Sequence, residues 1–161
     1  MEARELTIDD RAWAERLVSE RFASTRIVSR GILHDARRLP GLIAEREGVP
    51  VGLLQYRVVG EQFEVVVLIA VSPREGVGRL LLRAAVPLAR AHGCRRLWLI
   101  TTNDNRAALS FYPAVGWRQA AVHRGAMRES RRLKPEIPEF ASDGTPIEDE
   151  IEFELLLEAE L

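Results

Sequence analysis

Three groups of residues in this chain are of a type and spacing that could do chemistry. The first is Gly76-Val77-Gly78, which follows an apolar run ending at Val71 and opens a segment of helical periodicity. A strand that turns directly into a helix leaves N–H groups unpaired at the positive end of the helix, a corner suited to an anion. Glycine there lets a phosphate approach the main chain and lets φ become positive. Arg74 and Arg79 stand on either side and could add charge. Steric need explains such glycines about as often as a ligand does, so the turn alone is a weak signal. A Rossmann fingerprint would want glycine where Leu81 stands, and a P-loop would want Gly-Lys-Ser/Thr; neither is present.

The second is Glu64, which enters the valine-rich run Val65-Val66-Val67-Leu68-Ile69-Ala70-Val71. An ionisable group among such neighbours is rare unless it is paired or used. The third lies in Asn103-Asp104-Asn105 and the Tyr112 that follows. A calcium loop beginning at Asn103 would need glycine at Ala108 and glutamate at Ala114, so calcium is set aside. Three scattered histidines and one cysteine make no metal set. Cys94 is read as structural filler, although Arg95 and Arg96 follow it. His34 and His123 are assigned no catalytic role.

These residues need elements to hold them. Asp9 and Asp10 can cap a helix running to about Phe22, and Ser24 to Arg38 reads as a short broken helix or loop around Gly31. Leu42–Glu47, Val51–Val59 and Gln62–Val71 read as an antiparallel meander, the third apolar on both faces and therefore central. Arg79 to His92 is a helix that carries Pro87 on its solvent side and ends at Gly93. Leu97–Thr101 is a strand, Arg106–Phe111 a short helix and Arg118–His123 a strand; if the two strands pair in parallel, their crossover is right-handed. Glu150–Leu157 alternates and is expected to be a half-exposed antiparallel strand. Arg124 to Glu148, with Pro135, Pro138, Pro146 and Asp143-Gly144, is a long insertion of the kind more often functional than idle.

At 161 residues the chain is expected to form a single domain. Apolar residues at 47% and charged residues at 29% place it among ordinary folded domains. A net charge of −1 gives no global attraction for nucleic acid or an anionic membrane. Met1 to Glu5 lacks the order of a signal peptide and no apolar run reaches a membrane span, so a cytoplasmic location is expected.

The stretch from Thr101 to Trp117 reads strand, Asn105, Ala108, Tyr112, then Gly116 and Trp117, about thirty residues after the glycine turn. Together these resemble the GNAT superfamily of N-acetyltransferases, over most of the chain. The tail from Ser130 to Pro138 with Asp143 to Ile147 is similar to a bacterial subgroup of that superfamily. The resemblance implies an α/β fold with a mixed, mostly antiparallel central sheet of six or seven strands flanked by helices. It implies that acetyl-CoA, a co-substrate, enters where the sheet splays beyond Val71 and Thr101. The main chain at Ile69 and Val71 would bond the pantetheine arm, and the loop of Arg74, Gly76, Val77, Gly78 and Arg79 would hold the pyrophosphate. Asn105 would also bond the arm, and Tyr112 would protonate the departing thiolate. Where the family usually has Arg or Gln, three residues before the first glycine, this chain has Pro73, so the clamp would rest mainly on backbone N–H groups, with Arg74 as the supplement.

Acetyl transfer needs a neutral amine, a polarised carbonyl and a proton for the thiolate. Alkyl amines, with pKa about 10.4, are protonated at neutral pH and need a base or a water chain. Glu64 is the candidate base, against the plain reading of an exposed or arginine-paired carboxylate. Tyr112, a phenol of pKa about 10, suits donation to a thiolate of about 8.5; the plain reading is a buried tyrosine holding a carbonyl. The expected reaction is direct transfer to a primary amine of a small molecule or peptide, with no metal, nucleic acid or membrane partner. A homodimer is kept open. Two other classes stay open: a degenerate acyl-CoA-binding sensor, and a binding surface built on Arg124, Arg128, Arg131, Arg132 and Lys134. That basic cluster is otherwise a solvated loop, or a lid that attracts an acidic substrate or the CoA 3′-phosphate.

Overall fold

Alternation and turn residues account for most elements in the computed structural model, which describes residues 1–158. In chain order these are β1 (Glu2–Glu5), α1 (Arg11–Phe22), β2 (Arg26–Ser29), β3 (Ile32–Asp35), β4 (Gly41–Arg46), β5 (Val49–Val59), β6 (Gln62–Ala70), α2 (Val77–Ala91), β7 (Arg96–Thr102), α3 (Arg106–Ala114), β8 (Arg118–His123), α4 (Ala126–Leu133) and β9 (Glu150–Leu156). Seven of the strands make a mostly antiparallel sheet and β2–β3 form a separate hairpin, so the fold is the expected mixed α/β. The hairpin corrects the expectation of a short broken helix or loop over Ser24 to Arg38: Arg30 and Gly31 both take positive φ (49° and 74°) and supply the tight turn that reverses it.

Backbone contacts divide the chain into two compact units. The first spans 1–25, 35–97 and 156–158 among the described residues. Its strands follow the hydrogen-bonded order β1-β4-β5-β6, with every neighbouring pair antiparallel, and the β4-β5-β6 meander is as predicted. Phe63, Val65, Val67 and Ile69 are buried along β6, opposite Val58, Tyr56, Gln55 and Leu53 of β5 in turn. Helix α2 packs closely on this sheet because Gly52 has no side chain: a Cβ there would lie 2.3 Å from the Val77 Cγ1 and 3.1 Å from a Leu81 methyl. Pro87 sits on the exposed side of α2, where a missing N–H costs least. Arg4 fastens the start of the unit with hydrogen bonds of 2.7 and 2.8 Å to Asp10 and one of 2.7 Å to Glu45. Cys94 is buried and burial pushes its thiol up, as structural filler requires.

The second unit spans 26–34 and 98–155. Its strands follow the order β7-β9-β8, so β9 separates the two strands considered for parallel pairing and lies antiparallel to β8. This central place corrects the expectation that β9 is half-exposed. Glu154, which the alternation puts on the water side with Glu152, is buried, and so is Glu150. They are tolerated because each has a cation: Arg30 reaches Glu150 at 2.9 Å and Arg118 reaches Glu154 at 2.6 Å. Glu152, between them, meets His123 at 2.9 Å. Among the described residues no helix is long and apolar enough to cross a membrane.

Candidate active site

In the first unit, β6 ends at Ala70 and the chain turns through Arg74 (φ 64°) and Gly76 (φ 80°) into α2. Among the described residues no side chain caps this end of α2, so its first N–H groups are offered by the main chain alone. A Cβ on Gly76 would meet nothing within 4 Å. Its requirement is therefore the left-handed backbone and not crowding by the protein. Arg74, Glu75 and Arg79 are exposed, and Glu75 is tied to Arg46 of β4 at 2.8 Å. Loop and strand end thus bring Ile69, Val71, Arg74, Val77, Gly78 and Arg79 into one corner.

The strand register alters one expectation within that corner. The N–H of Val71 donates to the carbonyl of Val51 at 2.9 Å, and Ile69 stands opposite Leu53 two residues back. Hydrogen-bonded pairs alternate along an antiparallel ladder, so the main chains of Ile69 and Val71 both face β5. Those of Leu68 and Ala70 face the other edge. The Ala70 carbonyl there accepts from Arg21 of α1 at 3.2 Å. The resemblance gave residue positions but not the register.

Glu64 lies at the opposite end of β6, about 17 Å along the strand from Ile69 at roughly 3.4 Å per residue. It is buried, at 3% exposure, and forms an ion pair with Arg57 of β5 at 3.3 Å. A carboxylate among valines is thus paired, one of the two states expected of it.

In the second unit, Asn105 caps α3, its Oδ1 accepting from the N–H of Ala108 at 3.1 Å. The capping oxygen is committed, and the amide nitrogen remains the group with donors to offer. Tyr112 follows seven residues on, two turns and about 10 Å of rise along nearly the same face. Its ring is buried against Phe111, Trp117 and Phe153, with centroids 5.2, 6.1 and 5.3 Å away. Burial pushes the phenol well above its ordinary value, so it stays protonated through the neutral range.

Asn103, which the sequence offers only as the start of a calcium loop it cannot complete, makes three side-chain hydrogen bonds in the second unit. Its amide nitrogen donates to Pro146 O at 2.8 Å, and its Oδ1 accepts from the N–H groups of Glu148 and Asp149 at 2.9 and 3.0 Å. These bonds fasten the end of the long insertion to the end of β7. An Asn after a strand, followed by a long loop, is a signal only once the loop's return path is known. Among the described residues no three His, Cys, Asp or Glu side chains are grouped to hold a metal ion.

The acetyltransferase (GNAT) family model matches residues 5–117, which contain both the glycine corner and the Asn105–Trp117 segment. The Bacillus subtilis (strain 168) protein YdhI, described as uncharacterised, is 39% identical over 132 residues, 81% of this chain and 82% of its own. An IAA acetyltransferase from Bacillus cereus superposes with TM-score 0.74 at 20% identity, over 97% of this chain and all of that one. A Bacillus subtilis acetyltransferase crystallised with CoA superposes with TM-score 0.69 at 16% identity, over 98% and 99%. The last two are likenesses of fold.

Proposed function

Because the chain belongs to the acetyltransferase (GNAT) family, we propose that it moves an acetyl group from acetyl-CoA directly to a primary amine of a small molecule or peptide, as one acetyltransferase domain acting in the cytoplasm. The observation that carries this reading is the uncapped start of α2 behind Gly76, inside a family match that also holds Asn105 and Tyr112.

Each residue has a role in the proposal. The N–H groups of Val77, Gly78 and Arg79 bind the pyrophosphate, with Arg74 adding charge. The edge of β6 that carries Leu68 and Ala70 bonds the pantetheine arm in place of Ile69 and Val71, and the Asn105 amide nitrogen donates to the same arm. The neutral amine attacks the thioester carbonyl carbon, the C–N bond forms and the C–S bond breaks. The nitrogen's surplus proton leaves through water towards Glu64, and the sulfur takes a proton from the Tyr112 hydroxyl. A phenol kept neutral by burial can give that proton at any ordinary pH, and a desolvated thiolate is the base that takes it.

One observation favours a second reading, in which the protein binds acyl-CoA without turnover: Glu64 is already paired with Arg57. Acetyl-CoA-dependent thiol release over a panel of antibiotics, polyamines, amino acids and peptide N-termini separates the two. Release with any member supports the enzyme. Tight acetyl-CoA binding with no release from the whole panel leaves the sensor.

A further inference from the structure

The insertion after β8 folds around a cavity of about 490 Å³, inside the range of small-molecule sites, about 300–1,000 Å³. Of the basic cluster seen in the sequence, Arg132 pairs with Glu129 at 3.0 Å and the buried Lys134 donates to Arg26 O at 2.7 Å. Only Arg124, Arg128 and Arg131 line the cavity, which faces them with Glu139, Glu148, Asp149 and Phe140.

The wall is fixed by hydrogen bonds. Arg131 donates to both Pro138 O and Ile147 O and so closes the base of a small hairpin. Ala141 N–H to Thr145 O at 2.8 Å and Ile147 N–H to Glu139 O at 2.9 Å complete it. Asn103 holds the return strand, and the Gly125 N–H donates to Asp149 at 2.9 Å across the start of α4. On this hairpin Phe140 is 58% exposed, an apolar ring held towards water while Ile147 beside it is buried. Among the described residues, none of Arg124, Arg128, Glu139 and Glu148 forms an ion pair. The cavity therefore offers charge of both signs without neutralising it internally. A simple anion would also meet the carboxylates of Glu139, Glu148 and Asp149, and a simple cation the guanidinium groups of Arg124, Arg128 and Arg131. A ligand carrying both charges and an apolar group satisfies all of them.

We propose that this cavity binds an aromatic or large apolar α-amino acid as the acetyl acceptor. Arg124 and Arg128 take its carboxylate, Glu139 and Glu148 its ammonium group, one of these carboxylates accepting the proton that leaves before the neutral amine attacks, and Phe140 takes its side chain. The acceptor role rests on the acetyl-transfer reading; the binding does not.

Titration calorimetry of the full chain with L-phenylalanine, phenylacetate, phenethylamine and inorganic phosphate tests it. L-Phenylalanine is expected to bind at least tenfold more tightly than any of the others. Arg128→Ala should weaken it at least tenfold and leave acetyl-CoA affinity unchanged, while Glu148→Gln should shift preference towards phenylacetate. Absence of L-phenylalanine binding, or equal binding of phenylacetate or phosphate, overturns the proposal. Thiol release from acetyl-CoA with other amines, unaffected by Arg128→Ala and absent with L-phenylalanine, also overturns it, with the enzyme reading intact. L-Phenylalanine binding with no thiol release from any amine instead sinks the enzyme reading and keeps the site.

Discussion

The glycine corner after β6 and the cavity of the 124–149 segment are built in opposite ways. The corner presents main-chain groups: an uncapped helix end, a left-handed glycine and exposed flanking arginines. The cavity presents side chains of both charges on a hairpin that other side chains pin in place. A backbone site tolerates change in its side chains but not in its φ angles, whereas a side-chain site has the reverse tolerance. This division suits an enzyme whose co-substrate is constant and whose acceptor sets its specificity. The family match ends at residue 117, before the cavity begins.

The largest effect is expected at Tyr112, where Tyr112→Phe should lower turnover by roughly 10²-fold with acetyl-CoA affinity unchanged. Burial raises this phenol above its ordinary 10.0, so it remains an acid as pH rises. The wild-type rate should accordingly climb as the amine deprotonates, without an alkaline fall below about pH 10. Unchanged turnover, or an alkaline fall near neutrality that the substitution abolishes, removes Tyr112 as the donor. Next comes Gly76→Val, which forces a β-branched residue to a φ of 80° in open space. Strain of about 1–3 kcal/mol at such a position should weaken acetyl-CoA binding about tenfold and leave L-phenylalanine binding alone. Asn103→Ala should do the converse by loosening Pro146 to Asp149, raising the acceptor KM several-fold with kcat and the acetyl-CoA KM retained. Asn103→Asp, which keeps the oxygen that accepts from Glu148 and Asp149, should recover part of that loss. If both variants change the two KM values together, the two regions are not separate sites.

The same contrast decides what the sequence discloses. Gly76 stands out in the sequence because a strand turning directly into a helix calls for glycine at positive φ, whereas Asn105 and Tyr112 stand out only through the family resemblance. The meander was legible because Val65 to Val71 and the turns at Gly48 and Gly60 obey short-range rules. Gly52 could have been read as a close approach of two backbones, which is how α2 uses it. Less was legible where pairing is long-range. Whether the main chain of Ile69 or that of Ala70 faces away from β5 depends on the register with β5. Glu152 and Glu154 look like a solvent face until β9 takes the central place in its unit and Arg118 neutralises Glu154. The cavity was invisible because Asn103 lies far in sequence from Arg131 and Phe140 and is joined to them only through the insertion's return path.

The smallest expected effect is at Arg74, and it tests the comparison most directly. Pro73 occupies the place from which a side chain would usually supplement the clamp, and Arg74 is the cation left in the loop. It is exposed, at a φ of 64°, and an exposed charge near a phosphate contributes roughly 0–1 kcal/mol, less in salt. Arg74→Ala should thus weaken acetyl-CoA binding no more than about threefold, and 0.5 M salt should erase the difference. Arg74→Gly should bind slightly better than Arg74→Ala, because glycine removes the backbone strain that alanine keeps. A loss of tenfold or more in Arg74→Ala that persists in high salt would mean that a side chain carries the pyrophosphate. The corner would then be built like the cavity, and the division between backbone and side-chain recognition would not hold.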